Sequence, residues 1–132
     1  MIADGPRVLL VDDEAAFRAQ LRRILTDYGV DVVGEAGSGQ QALELADLLR
    51  PDVVLMDLRM PGMDGITATR LLVEALPSTR VIVLSAYDDA TLRTGAARAG
   101  AFAYLPKGCR ASEIVEVVAR AAGYPVVGTS DA

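Results

Sequence analysis

The sequence predicts an α/β fold in which helices cover both faces of a doubly wound, five-stranded parallel sheet. Short apolar runs alternate with stretches whose apolar residues recur at helical spacing, and this alternation repeats five times along the 132 residues. Apolar runs of this kind are typical of strands that are buried on both faces. Because parallel strands need crossover connections, the intervening helices are expected on both faces of the sheet.

Composition and charge narrow the functional classes. Apolar residues make up 52% of the chain and charged residues 23%, which suits one domain with a sizeable core. The net charge of −5 argues against direct binding of nucleic acid. A lone cysteine and the absence of histidine exclude an intrachain disulfide, a His-ligated zinc site and a His-based catalytic triad. Without a signal pattern or a long apolar run, we expect a cytoplasmic protein that does not enter a membrane.

The first strand is predicted over residues 7–11 and the first helix over residues 14–28. Asp13 can cap the start of this helix, and Gly29 ends it. One face of the helix carries apolar side chains at the spacing of a buried stripe: Phe17, Leu21, Ile24, Leu25 and Tyr28. The second strand is predicted over residues 30–35.

A glycine-rich segment over residues 34–39 separates the second strand from the second helix. Its glycines lack the spacing of a phosphate-binding loop, so we interpret it as a turn and a helix cap. Ser38 and Gln41 have the spacing of a capping box. The helix that they open carries four apolar residues on one face: Ala42, Leu45, Ala46 and Leu49. Pro51 ends it.

The third strand, over residues 53–56, leads into a turn-rich loop, and the third helix follows over residues 65–76. The fourth strand is predicted over residues 80–84. Asp88 or Asp89 can cap the fourth helix, which ends near Gly100 and is rich in small residues. We therefore expect it to be the least stable helix.

The fifth strand is predicted over residues 101–105 and the fifth helix over residues 110–122. The inward face of that helix consists of Ile114, Val117, Val118 and Ala121. Residues 7–122 are thus expected to form the domain. A disordered lead is expected over residues 1–6, and a tail or the start of a linker over residues 123–132.

Polar groups directly follow several strands, where the carboxyl ends of parallel strands form a ligand crevice. Asp12 and Asp13 follow the first strand, and Asp57 follows the third. Neighbouring carboxylates repel one another unless a cation offsets their charge. Oxygen ligands of this kind suit Mg²⁺ or Mn²⁺, so we predict a divalent metal site. The alternative is that Asp13 only caps a helix and the other strand ends are solvated.

Asp57 is the predicted centre of the chemistry, since a carboxylate can accept a phosphoryl group as an acyl phosphate. Lys107, the only lysine of the chain, follows the fifth strand and supplies a compact positive charge for a phosphate or carboxylate. Ser85 follows the fourth strand and can donate a hydrogen bond. An ordinary surface lysine and a turn hydroxyl are the alternatives. For Tyr104 the residues favour core filling or a half-exposed position in the sheet.

Four pieces of sequence carry a resemblance to a known family: Val-Asp-Asp at 11–13, Leu-Met-Asp-Leu-Arg-Met-Pro-Gly-Met-Asp-Gly at 55–65, Leu-Ser-Ala at 84–86, and Tyr104 with Lys107. Together they resemble the receiver domain of bacterial two-component response regulators over nearly the whole chain. The segments 32–36 and 57–65 are most similar to the NarL/LuxR class, which usually adds a C-terminal DNA-binding domain. The resemblance implies a flavodoxin-like (βα)5 fold with strand order 2-1-3-4-5.

The resemblance also implies a role for each acidic residue. Asp57 takes a phosphoryl group from the phosphohistidine of a sensor histidine kinase. Asp13, Asp57 and the backbone carbonyl of Arg59 ligate Mg²⁺, while Asp12 acts largely through water. Ser85 and Lys107 bind the phosphoryl oxygens.

A switch and its partners are implied in the same way. Phosphorylation draws Ser85 inward and Tyr104 rotates into the vacated space, which remodels the face formed by the fourth helix, fifth strand and fifth helix. We predict that the kinase docks near the first helix and the loop that carries Asp57. We also predict a homodimer on phosphorylation, formed either through the fourth helix, fifth strand and fifth helix or through the first and fifth helices. DNA is contacted only through an output domain outside this chain, although a stand-alone receiver is an alternative.

The chain departs from the family pattern at three positions. Gly108 follows Lys107 where many receivers have proline. Arg59 and Tyr87 lie two residues beyond Asp57 and Ser85, at positions that border the phosphoryl group in receivers. Because both side chains are bulky, we predict shielding from water and slow self-dephosphorylation.

Three other functions are possible for such a sequence. An aspartate-nucleophile phosphatase of the haloacid dehalogenase type needs an acid two residues after the nucleophile, where this chain has Arg59. A pseudo-receiver that only mediates interactions is disfavoured by the intact set of acids. A flavin carrier would find few stacking partners, because the chain has no tryptophan and 5% aromatic residues.

Overall fold

In the computed structural model, which describes residues 5–124, five strands and five helices alternate along the chain. The strands are β1 (Arg7–Val11), β2 (Asp31–Ala36), β3 (Val53–Met56), β4 (Arg80–Ser85) and β5 (Ala103–Pro106). The helices are α1 (Ala15–Asp27), α2 (Gly39–Leu49), α3 (Gly65–Ala75), α4 (Ala90–Arg98) and α5 (Ala111–Ala121). All strands pair in parallel in the order β2-β1-β3-β4-β5, which confirms the doubly wound, flavodoxin-like fold.

Side chains of each central strand alternate between two apolar layers, one on each face of the sheet. In β1, Val8 and Leu10 pack with residues of α1 and α5, whereas Leu9 and Val11 pack with residues of α2 and α3. A smaller cluster around Val83 packs beneath α4. Burial on both faces explains why the strands are continuous apolar runs rather than alternating ones.

The start of α1 differs from the sequence-based expectation. Asp13 was the predicted cap, but the first turn begins at Glu14, and the Asp12 Oδ1 atom accepts a 2.9 Å hydrogen bond from the Glu14 backbone N–H. Asp13 is exposed instead. Leu21 and Leu25 confirm the buried face of the helix. The prediction is wrong for Tyr28, which is 54% exposed because the helix has already ended there.

Three other helices begin with the caps that the sequence contains. Ser38 Oγ accepts a 3.1 Å hydrogen bond from the Gln41 N–H, as predicted from the capping-box spacing. Asp89, one of the two predicted candidates, caps α4, and Asp64 caps α3 through the Thr67 N–H. The Thr67 N–H bond holds the pKa of Asp64 below its usual value. These caps fix three loops at the carboxyl edge of the sheet.

The start of β5 and the ends of the domain are the remaining points at which the structure is compared with the sequence-based predictions. β5 begins at Ala103, two residues later than predicted. Pro6 is buried and its carbonyl oxygen accepts a 2.9 Å hydrogen bond from the Asp31 N–H, so the expected disorder does not extend to it. Residues 1–4 of the expected lead and 125–132 of the expected tail lie outside the described residues.

Among the helices of residues 5–124, none is long and apolar enough to cross a bilayer.

Gly65 ties the start of α3 to the backbone of Asp57. A Cβ atom at this position would lie 2.1 Å from the Asp57 carbonyl oxygen, so the backbone would have to shift. We expect Gly65→Ala to lower the free energy of unfolding by about 1–3 kcal/mol in urea titrations. Gly108→Ala is the matched control, since nothing lies within 4 Å of its added Cβ. Equal stability of the two variants would contradict this account.

Candidate functional site

Three carboxylates meet at the carboxyl edge of the sheet. One oxygen of each of Asp12, Asp13 and Asp57 lies within 4.8 Å of the others. The Asp57 N–H donates a 2.9 Å hydrogen bond to the Val11 carbonyl oxygen, which sets Asp57 beside the end of β1. Asp12 and Asp57 are only 4% and 6% exposed, whereas Asp13 faces solvent. The cluster is therefore mostly buried and open on one side.

Lys107 enters this cluster from the end of β5. Its Nζ atom lies 2.7 Å from Asp12 Oδ2 and 3.5 Å from Asp57 Oδ1. The Lys107 backbone N–H donates a 2.7 Å hydrogen bond to the Ser85 carbonyl oxygen, which fixes its position beside β4. Phe17, predicted only as a core residue of α1, also places its ring centroid 4.4 Å from Nζ. Lys107 is thus a paired, largely buried cation and not an ordinary surface lysine.

The charges of the cluster do not balance, and the pKa values reflect this. Burial and the neighbouring Asp12 charge raise the pKa of Asp57 to about 6, although the Lys107 ammonium partly opposes the rise. Burial lowers the pKa of Lys107, but its hydrogen bond to Asp12 and the charge of Asp57 outweigh burial and raise it. Lys107 therefore stays charged, and Asp57 carries the uncompensated negative charge.

Ser85 occupies the end of β4 and is fully buried. Its Oγ atom accepts a 3.0 Å hydrogen bond from the Tyr87 backbone N–H. A hydroxyl that accepts one hydrogen bond can still donate its own proton. The predicted donor therefore lies at the same edge as the carboxylates, on the strand next to β3.

Stacked, largely exposed side chains lie in and beside the loops that follow β3 and β4. The Arg59 guanidinium carbon is 4.5 Å from the centroid of the Tyr87 ring, so the two residues singled out for shielding contact each other. The Tyr104 hydroxyl donates a 2.5 Å hydrogen bond to the Tyr87 carbonyl oxygen. Arg93 in turn lies over the Tyr104 ring at 4.7 Å. Tyr104 is half-buried, which is one of the two positions that its place in the sequence favoured.

Two charged residues beside the cluster were not singled out in the sequence. The Arg18 Nη1 atom donates a hydrogen bond to the Asp12 carbonyl oxygen, and its Nε atom lies 3.0 Å from Glu35 Oε1. Glu35 Oε2 lies 2.7 Å from the Nε atom of Arg22. Glu35 is the penultimate residue of β2, which pairs with β1, and Arg18 belongs to the first turn of α1. Their positions at the same edge of the sheet are the only sequence signal that could have indicated that Arg18 and Glu35 contact each other.

The donor set fits a divalent cation. It contains three carboxylates and one ammonium group, so two negative charges remain uncompensated when all are ionised. Mg²⁺ prefers oxygen ligands and is commonly held by one or two carboxylates. A cation bound here would remove the repulsion that raises the pKa of Asp57.

The raised pKa of Asp57 leads to a prediction for the stability of the folded protein in the absence of divalent cations. Its pKa of about 6 lies above the ordinary value of 3.8, so the folded state binds this proton more tightly than the unfolded state. Its contribution to stability is complete below pH 3.8 and is lost as the pH rises to about 6. We therefore expect the stability of Asp57→Asn relative to wild type to increase over that range, by at most about 3 kcal/mol.

Urea unfolding in EDTA across this pH range measures the difference between the two proteins. Groups that do not interact with Asp57 titrate in both proteins and cancel. A difference that does not change with pH would show that Asp57 is not destabilised by its surroundings.

Comparisons with known proteins agree with this geometry. The family model described as "Response regulator receiver domain" matches residues 8–119. Response regulator GacA of Pseudomonas viridiflava is 41% identical over 113 residues, which cover 85% of this chain and 53% of GacA. The chain thus spans about half the length of the first curated relatives that it matches.

Solved structures show the same fold. The signal receiver domain of NarL from Mycobacterium tuberculosis is 39% identical, with a TM-score of 0.85 over 90% of this chain and 97% of that one. CheY in the CheX-CheY-BeF3-Mg complex from Borrelia burgdorferi is 29% identical, with a TM-score of 0.81 over 86% of this chain and 87% of that one. With the family model covering most of its length, the chain belongs to the response regulator receiver domain family.

Proposed function

We propose that the chain accepts a phosphoryl group on Asp57 from the phosphohistidine of a sensor histidine kinase, with Mg²⁺ or Mn²⁺ as the required ion. The observation that supports this most directly is the position of Lys107 Nζ, 2.7 Å from Asp12 and 3.5 Å from Asp57. A single ammonium group is thereby held next to the acceptor oxygen. Phosphoryl transfer depends mainly on such positioning and charge neutralisation.

The proposed metal ligands are those that the family resemblance implies. Asp13 and Asp57 would hold the ion together with the backbone carbonyl of Arg59, and Asp12 would act through water. When bound, the ion supplies positive charge for the phosphoryl oxygens. The exposed position of Asp13 leaves the cluster open to solvent on that side, which is where a hydrated ion can enter.

The transfer itself makes one bond and breaks one. A carboxylate oxygen of Asp57 attacks phosphorus, the P–N bond to the donor histidine breaks, and its electron pair returns to the imidazole. Asp57 must be ionised for this step, which its pKa of about 6 permits at neutral pH. Lys107 can exchange its bond to Asp12 for one to a phosphoryl oxygen, while the Ser85 hydroxyl donates to another.

The same geometry supports a switch through the backbone of Tyr87. Ser85 Oγ bonds its N–H group, and the Tyr104 hydroxyl bonds its carbonyl oxygen. If Ser85 turns toward a phosphoryl group, it gives up the first bond and frees this loop to move. Tyr104 would then change position, and the face formed by α4, β5 and α5 would change with it.

Partners follow from this function. We propose that the kinase docks near α1 and the loop after β3, and that DNA is contacted only through an output domain outside this chain. The longer relatives leave room for such a domain. A homodimer on phosphorylation stays a prediction, which the molar mass from light scattering with and without beryllofluoride would test.

The central proposal can be tested by mass spectrometry after incubation with acetyl phosphate and Mg²⁺. We expect wild type to gain one phosphoryl group and Asp57→Asn to gain none, because the amide cannot form the acyl phosphate. Asp52→Asn, at the opposite end of β3, is the control and should behave as wild type. No gain by wild type would favour a pseudo-receiver. Steady turnover of small phosphate esters would favour a phosphatase.

Arg59 and Tyr87 are expected to slow hydrolysis of the acyl phosphate, because their stacked side chains can cover the approach of water to Asp57. Replacing both with alanine should shorten its half-life by about tenfold, equal to a barrier lower by about 1.4 kcal/mol. The half-life is measured by the loss of phosphorylated mass over time after removal of donor. Tyr28→Ala, which removes an exposed tyrosine just after the C-terminal end of α1, serves as the control. A half-life that barely changes in the double variant would rule out shielding.

A further inference from the structure

We propose that Arg18 and Glu35 are positioning residues that hold the peptide between Asp12 and Asp13, so that both carboxylates face Asp57. This inference rests on the proposed function, because it concerns how the metal-binding carboxylates are aimed. Within residues 5–124, neither side chain forms a hydrogen bond or ion pair with the carboxylates of Asp12, Asp13 or Asp57. They act through the backbone of Asp12.

Asp12 is held at each of its polar groups. Its N–H donates a 3.1 Å hydrogen bond to the Ala36 carbonyl oxygen, Oδ1 accepts from the Glu14 N–H, and Oδ2 contacts Lys107. The remaining group is the carbonyl oxygen, which accepts the bond from Arg18 Nη1. This carbonyl belongs to the peptide plane that leads into Asp13, so Arg18 sets the orientation of that plane.

Asp13 depends on this plane more than its neighbours do. It is exposed, whereas Asp12 and Asp57 are enclosed by packing. An exposed side chain has little packing of its own to direct it, so the direction of its backbone decides where its carboxylate lies. Rotation of the Asp12–Asp13 peptide would therefore move Asp13 out of the three-carboxylate cluster first.

Arg18 can hold the peptide only because Glu35 holds Arg18. The guanidinium group uses Nε for Glu35 on β2 and Nη1 for Asp12 at the end of β1. Such a planar fork has fixed geometry, which a lysine ammonium does not reproduce. The Arg18 side chain is 20% exposed, so this bridge is partly protected from solvent. Hydrogen bonds from Arg22 and Arg18 also keep the pKa of Glu35 low, against the effect of burial.

Arg22 provides an internal comparison. It pairs with the other oxygen of Glu35, at 2.7 Å, but its side chain is 44% exposed and its hydrogen bond goes to Glu35 alone. Removing Arg22 takes away a cation and an ion pair without touching the Asp12 carbonyl. Its variant should therefore separate a general effect of charge or stability from the positioning effect.

The test uses the whole chain with three substitutions: Arg18→Lys, Glu35→Gln and Arg22→Gln. The first measurement is the dissociation constant for Mg²⁺ by titration calorimetry, without any phosphodonor. Residues that orient metal ligands typically change metal affinity by 10–100-fold when replaced. We expect about tenfold weaker binding for Arg18→Lys, a smaller loss for Glu35→Gln and a change within about twofold for Arg22→Gln.

The second measurement needs no metal. We expect Arg18→Lys to shift the backbone amide resonance of Asp13, because the carbonyl oxygen of the same peptide loses its hydrogen bond from Arg18. Urea unfolding of each variant gives its loss of stability for comparison. Glu35→Gln keeps the size of the side chain and an acceptor oxygen, so it remains informative if Arg18→Lys fails to fold.

The outcomes separate this inference from the proposed function. If wild type binds no Mg²⁺ and gains no phosphoryl group, the proposed function fails. If wild type does both, and Arg18→Lys and Glu35→Gln bind Mg²⁺ within twofold of it, the positioning role is overturned. A loss of affinity that follows the loss of stability equally in all three variants would also overturn it, because the effect would then be general.

Discussion

The structure depends on one interaction, the contact of the Lys107 ammonium with two largely buried carboxylates. This contact joins residues 95 positions apart and ties the end of β5 to the end of β1, which are separated by two strands in the sheet. A buried ion pair stabilises the folded state only if the geometry of the pair is good, because removing charges from water opposes folding. Here β3 and β4 lie between the two partners and fix their separation, while Phe17 covers the ammonium from α1.

The sequence predicted most of the fold because both periodicities are strong. Strands such as β3 are buried at every position, and a continuous apolar run needs no knowledge of partners to be identified. Among the errors, those at helix ends arise where neighbouring groups compete for the same function. Asp13 has the residue type and place of a cap, but Asp12 reaches the Glu14 N–H instead, which leaves Asp13 free to join the carboxylate cluster.

The acidic cluster was predictable for a similar reason, and its surroundings were not. A parallel sheet places the carboxyl ends of its strands at one edge, so Asp12, Asp13 and Asp57 had to meet. The Arg18–Glu35 pair depends instead on which rotamers two long side chains adopt across different elements. No local pattern specifies that choice. The stacking of Arg59 on Tyr87 depends likewise on the course of two loops.

Under the proposed function, the cluster gives a physical reason why binding at this site would change the rest of the domain. Burial beside Asp12 leaves Asp57 with unfavourable charge, which the folded protein tolerates because two apolar layers stabilise the sheet. A ligand that removes this unfavourable interaction binds more tightly for that reason. It can shift the structure only through groups that make different contacts in the two conformational states. In the proposed switch Ser85 and Tyr104 are such groups, because both bond the backbone of Tyr87, which lies between β4 and α4. Of the five helices, α4 is the shortest and has only Ala96 fully buried, so the element nearest the proposed switch is also the one held by the least packing.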